Sequence, residues 1–171
     1  NYIEALKKKK QTTAETEKLL EKSKANARMI KGTEEVCVID SFIVDKDEFL
    51  RAYKISEESG SLHYFNDFFQ TSGNNTTTVY ETEIGNKIYY GDKGKDSTWD
   101  ISSRNRTPDG WGSPFPLPEV INRNGNANYP FVLTDGVTIY YASDGDGSMG
   151  GYDIFVTRYN TGTESYMNPE N

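Results

Sequence analysis

Cysteine and histidine are almost missing from this sequence: one of each in 171 residues, Cys37 and His63. A single cysteine forms no internal disulfide, and one Cys with one His falls short of the ligand set of a structural zinc site. Cys37 lies in the apolar run Val36-Cys37-Val38-Ile39, where alternation puts it on the face opposite Val36 and Val38, and it is expected as a small packed thiol. His63 stands in the short segment Leu62-His63-Tyr64-Phe65 and is expected as a packed or edge residue, with no Ser/His/Asp set to join. Long apolar runs are absent too; none approaches the ~18 residues of a membrane-spanning helix. No leader peptide is visible, but the chain does not begin with methionine, so this does not argue for the cytoplasm. No glycine-rich loop precedes a helix: Gly145 to Gly151 leads into a strand, which offers no phosphate cradle.

What is present is turn-forming and aromatic. Hydrophobic residues make up only 35%, yet aromatics reach 13%, and twelve of the aromatics are tyrosine. Tyrosine with little leucine suits strands that have one wet and one dry face. Gly, Asn, Asp, Ser and Thr are abundant, as many tight turns require. The net charge of -7 is uneven: residues 1–33 hold nine Lys/Arg against four Glu, net +5, leaving the remainder near -12. An acidic body repels phosphate backbones, so nucleic acid is not an expected partner. The basic run Lys7 to Lys10 reads as a solvated helix face.

Residues 1–33 read as a helical arm. Thr12 with Glu15 three residues on gives a capping-box pattern, Leu19, Leu20, Ala27 and Ile30 a thin apolar stripe, and Gly32 a stop. From residue 34 the texture turns to β. Val36 to Val44 is β-branched and predicts a strand; Phe49, Leu50 and Tyr53 have helical spacing; Thr71 to Thr78 is a polar loop.

Two repeats follow, over 79–128 and 129–171. Gly85-Asn-Lys-Ile-Tyr-Tyr90 matches Gly136-Val-Thr-Ile-Tyr-Tyr141 at an offset of 51. Asp92 matches Asp144, Trp99-Asp100-Ile101 matches Tyr152-Asp153-Ile154 at 53, and Trp111 and Pro114 match Tyr166 and Pro169 at 55. Each unit reads as a turn, an apolar strand ending in Tyr-Tyr, a Gly/Asp turn and an aromatic-Asp-Ile strand. Short strands repeating at a little over 50 residues are the signature of four-stranded antiparallel propeller blades. The fold class expected is therefore all-β, with residues 34–171 a β-propeller portion behind the arm.

The series Trp111-Gly-Ser-Pro-Phe-Pro-Leu-Pro118, Asn128-Tyr-Pro-Phe131, Asp135-Gly136, Ile139-Tyr-Tyr-Ala-Ser-Asp144 and Gly150-Gly-Tyr-Asp-Ile154 resembles the WD40-like, TolB-like β-propeller repeat. That family includes envelope proteins of Gram-negative bacteria. The resemblance spans about residues 79–171 and implies a periplasmic or outer-membrane-associated, non-enzymatic scaffold that binds other envelope proteins; the alternatives are a glycan- or peptidoglycan-binding module and an accessory propeller of a hydrolase whose catalytic part lies elsewhere. A ring needs about four blades or more. Two repeats, with residues 35–69 as an irregular third, leave the propeller incomplete, its remaining blades expected in a missing C-terminal part or on another chain.

Chemistry-bearing motifs read mainly as structure. Asp144-Gly-Asp146-Gly-Ser148 opens like a calcium loop, but Met149 and Phe155 stand where Gly and Glu are required, so a hairpin turn is the expectation and Ca²⁺ at Asp144, Asp146 and Ser148 the alternative. Asp146-Gly-Ser148-Met-Gly150 misses the nucleophile elbow by its first residue and lies between strands. Asp100 and Asp153 recur at the repeat period, as a reused turn contact would. Trp99, Trp111, Tyr90 and Tyr141 are the candidate contact residues for a protein partner, or alternatively for glycan or peptidoglycan, although core packing competes for each.

Overall fold

A computed structural model describes residues 2–9, 13–32, 37–45, 48–53, 55–94, 96–123 and 125–171, apart from the side chains of Met29 and Arg51. The chain divides into two compact units, Asn1–Ile43 and Val44–Asn171.

The first unit holds α1 (Tyr2–Lys8) and α2 (Ala14–Gly32). Thr12, the predicted cap, lies outside the described residues. Thr13 stands before α2 instead: its carbonyl accepts the Glu17 N–H at 2.8 Å and its hydroxyl donates to the Glu17 carboxylate at 3.2 Å. Lys7 reaches the same carboxylate at 2.7 Å, tying the two helices together. α2 runs to Gly32, where the sequence placed its stop. The β-branched run that follows forms no strand over its described residues 37–44, and Cys37 is exposed, contrary to the packed thiol expected. β-propensity expresses packing on neighbouring strands, and a strand does not form without that packing.

The second unit is mostly β. A turn of helix, α3 (Phe49–Ala52), stacks the Phe49 and Tyr53 rings at 5.8 Å. After it come β1 (Ser61–Tyr64), the short helix α4 (Phe65–Phe69), β2 (Thr78–Glu81), β3 (Lys87–Lys93), β4 (Trp99–Thr107), β5 (Gly110–Trp111) and β6 (Phe115–Pro116). These strands make one antiparallel sheet in the order β1-β2-β3-β4-β5, with β6 also on β4. β7 (Ala127–Val132), β8 (Thr138–Ser143), β9 (Asp153–Asn160) and β10 (Ser165–Tyr166) form the second antiparallel sheet in chain order. The segment expected as a third, irregular blade is not a sheet among its described residues: it adds one strand, β1, to the edge of β2.

The two sheets repeat one plan. In the β2–β3 turn Gly85 donates to the Thr82 carbonyl (2.8 Å), and in the β7–β8 turn Gly136 donates to the Leu133 carbonyl (2.9 Å). Both glycines sit at positive φ, +67° and +69°, where a Cβ would be strained. Trp111 pairs with Arg106 as Tyr166 pairs with Tyr159, and Phe115 with Ser103 as Glu170 with Val156. The registers refine one sequence match: Asp92 faces Asp100 while Ser143 faces Asp153, so Ser143, not Asp144, is the counterpart of Asp92.

The core follows from this plan. Tyr80, Tyr89 and Ile101 of the first sheet pack on Val132, Ile139, Tyr141 and Phe155 of the second. Tyr80 donates its hydroxyl hydrogen to the Val132 carbonyl at 2.8 Å, and Tyr89 and Tyr166 hydrogen-bond to each other. The opposite face of the first sheet, Val79, Ile88 and Tyr90, is covered by Phe65, Phe68, Phe69 and Trp111. α4 thus covers the face of the first sheet that the second sheet does not.

Candidate functional site

The residues singled out in the sequence are dispersed. Tyr90 (1% exposed) and Tyr141 (4%) are core residues, so neither ring can offer a contact surface to a ligand. Trp111 is half-buried, its ring 5.8 Å from that of Phe68 and the Arg106 guanidinium 5.0 Å above it. Trp99, also half-buried, has the Lys93 ammonium 5.6 Å from its ring centre. His63 is on the edge strand β1, its Nε2 2.8 Å from the Ser61 hydroxyl and 3.6 Å from the Glu81 carboxylate.

The candidate calcium loop is engaged with its own chain. Both Asp144 oxygens accept hydrogen bonds from Asn126, at 2.6 Å from its backbone N–H and 2.8 Å from its amide. Burial pushes the Asp144 carboxyl up, but these bonds outweigh it and hold the group below the ordinary range. Asn126 accepts the Trp99 N–H at 2.9 Å, so the pair clips the β8–β9 loop to the first sheet. Ser148 donates to the Asp144 carbonyl at 3.0 Å and Asp153 accepts the Met149 N–H, completing the turn. No group of His, Cys, Asp and Glu able to hold a metal is found among the described residues. At Asp100 burial, then Asp96 and Asp92, raise the carboxyl above its ordinary value.

The feature that pattern reading missed is a face. In β8 and β9 the direct pairs Tyr140–Val156 and Ala142–Ile154 turn away from the first sheet, whereas Phe131, which pairs with Tyr140, sets its ring 5.1 Å from that of Tyr80 in the first sheet. Register makes the two outward pairs the counterparts of Tyr89–Ser103 and Gly91–Ile101. Ile101 is fully buried and Tyr89 is 5% exposed, because the second sheet covers them; Ile154 is 72% exposed and Tyr140 39%. Repeated sequence thus meets opposite environments. The alternation of inward and outward residues in β8 carried this signal, but only the stacking order says which alternate set is covered.

Comparison with protein-family models, with curated proteins and with solved structures gave no match.

Proposed function

We propose that the chain is a portion of a non-catalytic β-propeller, of the WD40-like, TolB-like kind, that works as a protein-binding scaffold in the periplasm or at the outer membrane of a Gram-negative envelope. One observation carries the reading: the outer face of the second sheet repeats, in Tyr140, Ile154 and Val156, the face that the first sheet buries beneath its neighbour. Exposed apolar patches of this kind mark interaction surfaces. The occupant that fits is a further antiparallel sheet whose facing side carries an Ile-x-Tyr strand like Ile139-Tyr140-Tyr141 of β8.

The test compares tagged wild type with Ile154→Asp in pull-downs from solubilised envelope, with mass-spectrometric identification. Wild type is expected to retain chains bearing that strand pattern, and Ile154→Asp to lose them at an unchanged melting temperature. Equal recovery by both proteins, or recovery of none by wild type, would falsify the reading.

A further inference from the structure

Relative to the first repeat, β7 holds one residue too many. Phe131 pairs with Tyr140 and Val132 with Ile139, but Asn128 rather than Tyr129 pairs with Ala142, so the ladder slips between Asn128 and Phe131. β2, its counterpart, pairs with β3 without a slip. Tyr129 falls within the slip, at φ +53°, a left-handed conformation that few residues with a ring adopt. The buried Asn128 fixes it by accepting the Tyr129 N–H at 2.8 Å. The ring nevertheless stays 46% exposed, so core packing does not account for the strain. A bulge re-aims a side chain, and strain of this kind collects where a side chain is used.

The ring borders a cavity of about 560 Å³ shared with Phe49, Tyr64, Asn66, Asp67 and Asn74. A second cavity of about 350 Å³ continues from it along Tyr53, Leu62 and Phe131, with Phe49, Leu50, Thr78 and Tyr129 common to both. The Asn66 amide donates to the carbonyls of Gly73 (2.7 Å) and Asn75 (3.2 Å), fixing the polar wall. Among the described residues, Asp67 is the one charged side chain that lines either cavity, and a lone carboxylate is too little for a metal ion. Rings on the flanks with the Asn74 amide and the Asp67 carboxylate at one end match a pyranose, whose C–H face stacks on rings and whose hydroxyls bond to planar polar groups. We propose that this groove binds a neutral oligosaccharide, with Tyr129 as its stacking platform. The site is separate from the outer face of the second sheet and does not depend on it.

Cellohexaose, chitohexaose and mannohexaose are titrated calorimetrically into the whole chain and its Tyr129→Gly variant. Glycine removes the ring and accepts the positive φ, so the melting temperature should equal or exceed that of wild type. Wild type is expected to bind at least one sugar, and Tyr129→Gly to bind it about tenfold or more weakly, the equivalent of one lost ring contact. The proposal is overturned if wild type binds no sugar at millimolar concentration, if the variant binds as wild type does, or if a peptide array is bound and the sugars are not.

Discussion

At the scale of single residues, the tyrosines divide by environment rather than by motif. Tyr89, Tyr90, Tyr140 and Tyr141 come from two copies of one Tyr-Tyr pair, yet only Tyr140 faces outward. Burial pushes the phenols of Tyr89 and Tyr141 up to about 12, with the Tyr89–Tyr166 hydrogen bond and Arg123 respectively opposing it. A phenol whose folded pKa is raised contributes stability that is complete below its unfolded value, about 10, and is lost as pH climbs through the folded value. Alkaline unfolding is therefore expected between about pH 10 and pH 12, with Tyr141→Phe moving the midpoint upward. Circular dichroism against pH, together with phenolate absorbance, checks this. Asp144 shows the opposite side of residue-scale reading. As part of an Asp-Gly-Asp-Gly-Ser string it invites a metal; in the fold its two oxygens are taken by Asn126, eighteen positions away.

At the scale of elements, turns and strands were legible because their signals are local. The glycines at 85 and 136, the Ile-Tyr-Tyr strands and the aromatic-Asp-Ile strands all form where the repeat placed them. The run 37–44 had the same local character and formed no strand, since propensity without a neighbour does not make a ladder. α4 had no local signal as a cover for a sheet; Phe65, Phe68 and Phe69 become one only when Val79, Ile88 and Tyr90 lie beneath them. Ile101 and Ile154, equivalent in sequence, measure what stacking adds. Ile101→Ala should destabilise by about 2–5 kcal/mol, as buried isoleucine truncations do. Ile154→Ala, at an exposed position, should stay within about 0.5 kcal/mol. Chemical denaturation of the two variants reads the contrast directly; equal costs would mean that the outer face is covered in solution.

At the scale of the whole molecule, the stack is asymmetric. One face of the first sheet is closed by α4, while the outward face of the second is open. Head-to-tail growth by copies of this chain would need the covered face, so an isologous contact between two open faces is the available route to self-association. Light scattering at rising concentration should therefore stop at dimers, and Ile154→Lys should reduce even these. β7, at the sheet edge, carries a bulge and Pro130, both of which discourage edge-to-edge pairing and leave the face as the surface for assembly.

The sequence by itself determined the repeat, its turns, its alternating strands, the acidic body and the scarcity of cysteine and histidine. These depend on neighbours a few positions apart or on composition. Tertiary structure alone decided which alternate face of each sheet is covered, that Asp144 belongs to Asn126, that α4 covers one face of the first sheet, and that Tyr129 stands out of its ladder beside Phe49 and Asn74. The physical reason is that alternation specifies two faces but not their occupants, and an occupant arrives from a part of the chain that no local pattern can see.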